Sequence, residues 1–157
     1  MKQPPKGTEE YRTYKRNLEY IYANTEHGFL TRLFQSIFTR AKERKTNGTR
    51  KRCKGWEPEI TKKQLWQLYH EQTKIYGKIC LYCNQALTFN RRKREKNLTE
   101  ERIQQIRTNI SIDRYDPDQT YKKGNIAFCC WDCNMKKNSS NPKNWVDFLK
   151  GRKKIIK

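Results

Sequence analysis

Apolar positions recur at helical spacing three times in the first half of the chain. Residues 9–23 place Tyr11, Tyr14, Leu18, Ile21 and Tyr22 on one face. Residues 29–42 repeat the pattern more strongly, with Phe29, Leu30, Leu33, Phe34, Ile37, Phe38 and Ala41 in a single stripe. A period near 3.6 predicts two amphipathic helices, whose polar sides carry Arg12, Lys15, Arg16, Arg32 and Arg40. The third stretch, ITKKQLWQLYHEQTKIYG, is punctuated at both ends. Thr61 and Gln64 have capping-box spacing, Ile60 and Leu65 have hydrophobic-staple spacing, and Gly77 is a natural stop, which predicts a helix over 62–76.

The period changes in the second half. LTEERIQQIRT predicts a short helix within a polar insertion, and ISIDR alternates as a half-buried strand does. Gly124 and Asn125 mark a turn before a second strand, NIAFC. CWDCNMKKN reads as a knuckle running into a helix, and Asn141 with Pro142 opens a last helix bearing Trp145, Val146, Phe148 and Leu149. The aperiodic basic stretch 40–58 reads as a loop, and KGRKKIIK is a basic tail. The expected class is therefore α+β. A basic helical N-terminal region with its loop, 1–58, precedes a small domain over 59–157, and there are no internal repeats.

Composition sharpens this picture. Of 157 residues only 34% are hydrophobic, a modest core that calls for a metal, disulfides or a partner to offset chain entropy. Lys and Arg number 36 against 16 Asp and Glu, a net charge of +20 whose commonest target is a phosphate backbone. An anionic membrane surface is the bland alternative, but no lipidation signal or apolar run of spanning length is present. The N-terminus, MKQPPKGTEEY, has no apolar secretory region, so the expectation is a soluble, intracellular protein.

Six cysteines in such a setting point to metal ligation. Cys80-x-x-Cys83 and Cys130-x-x-Cys133 are spaced as two knuckles that turn four thiolates on one zinc ion. Cys129 offers an alternative register, and Cys53 has no partner at ligand spacing. A redox Cys-x-x-Cys wants a βαβ context that is missing, and two unrelated disulfides are the other alternative. Four sulfurs close the coordination shell, so such a zinc is structural.

The order Cys-x-x-Cys, strand-Asp-x, Gly-Asn-x on a second strand, then Cys-x-x-Cys-Asn-x-x-Lys resembles the HNH (ββα-metal) nucleases, and phage and mobile-element members above all. The resemblance covers residues 79–138. It implies two strands and a helix cupping one divalent ion, normally magnesium, against the scissile phosphate. On that resemblance Asp113 and Asn134 are the metal ligands, and Asn125 ties the loop together. One carboxylate and one amide oxygen suit magnesium, which keeps its other positions for water and phosphate. Where most members have a His that accepts the proton of the attacking water, this chain has Arg114. With a pKa above about 12, Arg114 cannot act as that base, but it can clamp phosphate.

The remaining candidates for the base are His70, Tyr82, Tyr115, Tyr121 and Asp116, or bulk hydroxide. Asp116, before Pro117, also suits a turn-organising role. Arg91, Arg92, Lys93, Arg94, Lys136 and Lys137 are the expected phosphate contacts. The implied function is a metal-dependent endonuclease acting on double-stranded DNA, with zinc and magnesium as cofactors and a phage, viral or mobile-element setting. A homodimer would be needed to cut both strands at once. The alternative from another class is a non-catalytic zinc-knuckle nucleic-acid-binding protein with a degenerate site.

Overall fold

The computed structural model describes residues 3–47, 57–90 and 99–137. Helix α1 (Glu9–Ala23) starts at Thr8, whose side chain accepts the N–H of Tyr11, and Glu9 and Glu10 complement the positive end of its dipole. Helix α2 (Glu26–Asn47) follows a tight corner. A Cβ on Gly28 would lie 2.0 Å from the carbonyl oxygen of Tyr22, so this corner is closed to every other residue. α2 runs beyond its periodic stripe at both ends. Ala41, Lys42, Glu43 and Arg44 are good helix formers, and they carry the helix into a stretch whose pattern reads as loop.

Helix α3 (Lys62–Tyr76) has its predicted bounds. The Thr61 hydroxyl accepts the N–H of Gln64 at 3.2 Å, and the Gln64 side chain accepts the N–H of Thr61 at 2.8 Å, a complete capping box. Helix α4 (Glu100–Arg107) is capped by Thr99. Strands β1 (Ile110–Arg114) and β2 (Ile126–Cys130) pair antiparallel, with Ser111 opposite Cys129 and Asp113 opposite Ala127. β2 begins one residue later than its pattern predicts, because Asn125 spends its side chain on the preceding loop. Helix α5 (Trp131–Lys137) follows β2 directly. The expected helix from Asn141, the basic tail, Cys53 and the Arg91–Arg94 run all lie outside the described residues. No described helix is long and apolar enough to cross a membrane.

The core sits between α2, α3 and one face of the two strands. Phe128 meets the rings of Tyr69 at 5.4 Å and Phe34 at 6.2 Å, and Trp66 stands edge-on to Phe34 at 5.1 Å. Leu30, Phe34 and Ile37 of α2 share one buried cluster with Leu65, Ile112 and Phe128, so the core runs unbroken across the expected division at residue 58. α1 departs from its pattern. Ala23 is its only buried residue, and Leu18, Ile21 and Tyr22 stay exposed, since among the described elements only α2 lies against this helix in quantity.

A two-stranded sheet is marginal on its own, and here a side chain stands in for a third strand. Gln72 of α3 is buried and donates its Nε2 to the carbonyl of Phe128 at 2.9 Å. Its Oε1 accepts the N–H of Phe128 at 3.1 Å. Gln72→Leu, of similar size, strands the Phe128 N–H away from water and leaves its carbonyl only the N–H of Leu81 at 3.3 Å. Each buried group left unpaired costs about 1–3 kcal/mol, so a fall of at least that size is expected in denaturant unfolding. An unchanged midpoint would show that water replaces the amide.

Candidate functional site

The first cysteine pair lies in a small hairpin just after α3. The N–H of Cys80 reaches the carbonyl of Gln85 at 2.8 Å, and that of Leu87 reaches Lys78 at 2.9 Å. Asn84 takes the left-handed turn position at φ 63°, which an Asn tolerates better than most residues. This turn aims the N–H groups of Tyr82 and Cys83 at the Cys80 sulfur, at 3.3 and 3.4 Å. The second pair straddles the junction of β2 and α5, where the N–H of Cys133 meets the Cys130 sulfur at 3.4 Å.

The four sulfurs of Cys80, Cys83, Cys130 and Cys133 all lie within 4.8 Å of one another, and Cys83 and Cys130 are 3.8 Å apart. Metal–sulfur bonds of about 2.3 Å in a tetrahedron put the sulfurs about 3.8 Å apart, so the cluster can hold one metal ion such as zinc. Hydrogen bonds from the Cys130 and Cys133 thiols pull the Cys80 thiol far below the ordinary thiol range, against the burial that raises it. The same contacts and burial hold the Cys130 and Cys133 thiols above that range, so one thiolate, on Cys80, is stabilised by two thiol donors. Cys129 is excluded from the set. It points to the other face of β2, is wholly buried, and burial pushes its thiol well up.

That other face carries the second cluster. Ser111 and Asp113, two apart on β1, face α5. Asn134 donates its Nδ2 to the Ser111 hydroxyl at 2.6 Å and to the Ile112 carbonyl at 3.4 Å. A carbonyl only accepts, so the NH2 group must face it, and Oδ1 is left without a hydrogen bond among the described residues. Asp113 is 5% exposed. Its Oδ2 accepts the Tyr82 hydroxyl at 2.6 Å and meets the Lys137 ammonium at 3.0 Å, while Oδ1 is 3.3 Å from the same ammonium. Burial raises the Asp113 carboxyl above its usual range, opposed by the Tyr82 hydrogen bond and by the charges of Lys137 and Arg114. Tyr82 is pushed far up by burial and by the neighbouring Asp113 charge, so it stays a donor.

Asn125 is buried in the loop between the strands, where it replaces missing backbone pairing. Its Oδ1 accepts the N–H of Asp116 at 2.7 Å, and its Nδ2 donates to the carbonyls of Thr120 and Asp116 at 2.9 and 3.1 Å. Asp116 is turned inward to the N–H of Asp118 at 2.9 Å and to the Gln119 amide at 2.7 Å, so it organises the turn. Arg114 donates to the carbonyl of Gln119 at 3.3 Å and lies 5.5 Å from the centre of the Tyr121 ring.

Asp113, Arg114, Tyr121 and Asn134 line one cleft of about 390 Å³, together with Arg40 from α2. Two oxygen ligands suited to a hard cation therefore share a cleft with two guanidinium groups suited to an anion. Of the expected site residues among those described, Asn125, His70, Lys136 and Lys137 do not line it. His70 lies on the exposed side of α3, stacked on Trp66 at 5.7 Å, and does not line the cleft. Lys137 is fully buried on Asp113 and on the Arg114 carbonyl at 2.7 Å, so it cannot hold a phosphate. Lys136 is exposed and pairs with Asp132 at 2.6 Å. Sequence reasoning missed Arg40, which it placed on the outer side of α2. Yet Phe29, Leu33 and Arg40, at i, i+4 and i+11, share a helical face, and that spacing was the available signal.

No protein-family model, curated protein or solved structure gives a significant match to this chain.

The buried pair can be tested directly. Lys137→Met leaves the buried Asp113 carboxylate with no cation in contact and only the Arg114 charge nearby, and a loss of about 3–5 kcal/mol in unfolding free energy is expected. Asp113→Asn added to it should restore most of that loss, since a neutral amide has no charge to compensate.

Proposed function

We propose that this protein is a metal-dependent endonuclease of the HNH type that hydrolyses phosphodiester bonds in DNA. The observation that carries the reading is one cleft containing Asp113, Asn134, Arg114 and Arg40, framed by a strand pair and helix that grow out of a four-sulfur cluster. The +20 charge supports a polyanionic partner. Zinc is the proposed occupant of the sulfur cluster, and its role is to fold the domain.

The residues fit a second, catalytic divalent ion. Asn134 keeps Oδ1 for a ligand, and an ionised carboxylate has about four acceptor positions, of which Tyr82 and Lys137 do not use all. Magnesium bound there would supply Lewis-acid stabilisation of the negative charge on the reacting phosphate. Tyr82 and Lys137 hold the Asp113 carboxylate in one orientation. Ser111 orients the Asn134 amide. Arg114, steadied by the Gln119 carbonyl and the Tyr121 ring, clamps the phosphate with Arg40. Among the described residues no histidine lines the cleft, and Asp116 is committed to its turn. Of the candidate bases, Tyr121 alone among the described residues lines the cleft, so removal of the water proton is assigned to bulk hydroxide or to Tyr121.

A second reading has its own support. Asp113 is already neutralised by Lys137, as it would be in a zinc-knuckle protein that binds nucleic acid without cutting it. Nicking of supercoiled DNA separates the two. With magnesium the protein should nick, EDTA should stop it, and Asp113→Ala and Asn134→Ala with normal zinc content should each lose about a hundredfold or more. His70→Ala should leave the rate unchanged. Tight, salt-sensitive binding with no cleavage under any divalent ion would favour the second reading.

The sulfur cluster is expected to hold one zinc per chain by elemental analysis. Structural zinc supplies on the order of 10 kcal/mol to folding, so a strong chelator should melt the domain cooperatively, as seen in the far-ultraviolet circular dichroism. Cys83→Ser should lower both zinc content and thermal stability. Cys129→Ser should leave the zinc content intact.

A further inference from the structure

We infer that the cleft accepts an unpaired nucleotide, its base against Trp131 and its phosphate at Arg114 and Arg40, so that the preferred substrate is single-stranded or locally unpaired DNA. The inference rests on the proposed nucleic-acid role of this cleft and adds the class of substrate.

Three observations converge on it. The first is the composition of one face of α5. Trp131, Asn134 and Met135, at i, i+3 and i+4, all line the cleft, so an indole and a thioether flank the amide proposed to hold the ion. The second is exposure. Trp131 is 38% and Met135 57% exposed in a chain where a third of the residues are charged, and Trp131 has no ring contact among the described residues. Neither side chain belongs to the buried core cluster. The third is the contribution of α2, whose Phe29 and Leu33 add apolar surface to the same cleft as Arg40.

A duplex presents phosphates and groove edges, and its base faces are already stacked on one another. An aromatic ring inside a cleft meets a base face only when the base has left the stack. A volume of about 390 Å³ falls within the range of roughly 300–1,000 Å³ that encloses small organic ligands, and a double helix is far too wide to enter it. The charge is arranged to match. Guanidinium groups stand at the Asp113 and Tyr121 side, while the indole and thioether lie along α5, so a nucleotide can put phosphate and base on different walls.

The test is binding, measured by fluorescence anisotropy in buffer without magnesium, so that it does not depend on cleavage. The probes are a labelled single-stranded DNA, its duplex, and a duplex carrying a short single-stranded gap. The single-stranded and gapped probes should bind more tightly than the duplex at equal salt. Trp131→Ala should weaken both by about tenfold, as expected for one lost base stack, with little change for the duplex. Trp131→Phe should recover most of the affinity, and Met135→Ala, at a more exposed position, should show a smaller loss of the same selectivity. Equal weakening of all three probes, or no weakening at all, would overturn the inference. So would a Trp131-dependent preference for single-stranded RNA of the same sequence over DNA. A protein that binds as expected yet never nicks would sink the nuclease reading and leave this one standing.

Discussion

Everything in this domain hangs on four sulfur atoms drawn together from two distant hairpin ends. Cys80 and Cys83 precede the strand pair, Cys130 ends its second strand and Cys133 lies in α5, and among the described residues between the pairs the sheet is two five-residue strands. Such a sheet buries too little to persist alone. Clasping its two flanks closes a long loop whose entropy the apolar residues could not offset. N–H groups are directed at the Cys80 and Cys130 sulfurs, so the backbone around each knuckle presents donors to sulfur as the acceptor.

The clasp also sets the geometry of the second cluster. Tyr82 sits between the two cysteines of the first knuckle and reaches across to Asp113, while Asn134 follows Cys133 directly. The carboxylate and the amide are thus each one step from the sulfur cluster along different segments. Distortion of either knuckle would move the two apart. Lys137, one helical turn beyond Asn134, completes the arrangement by giving the buried carboxylate a counter-charge. The lysine is a built-in counter-charge, so the buried carboxylate is compensated without any ion in the cleft.

Much of this was legible from residue patterns. The capping box at Thr61, the alternation of Ile110–Arg114 and the paired Cys-x-x-Cys knuckles are local signals. Local signals survive because short-range hydrogen bonding and side-chain period determine them. What stayed hidden was long-range. Gln72 looks like a surface position on α3, and nothing nearby in the chain shows that it feeds a strand 56 residues away. Lys137 looks like one more basic side chain in a basic chain, yet its ammonium is enclosed, because α5 turns that position onto Asp113. α1 misleads in the opposite direction. Its apolar face is real, but a stripe in the sequence states a preference for burial and does not supply the surface that would satisfy it. His70 fails for a similar reason, since adjacency to a knuckle along the chain says nothing about which side of a helix it occupies.

The Gln72 amide has one more consequence, for behaviour at high concentration. A free strand edge is a template on which another chain can add a strand, and short sheets are nearly all edge. Here the outer side of β2 is answered at Phe128 by Gln72 and by the N–H of Leu81 at 3.3 Å. The outer side of β1 is answered at Ile110, whose N–H meets the Thr88 carbonyl at 3.0 Å. At these positions an added strand would have to displace bonds already made, so strand addition there is opposed by the same residues that hold the core together.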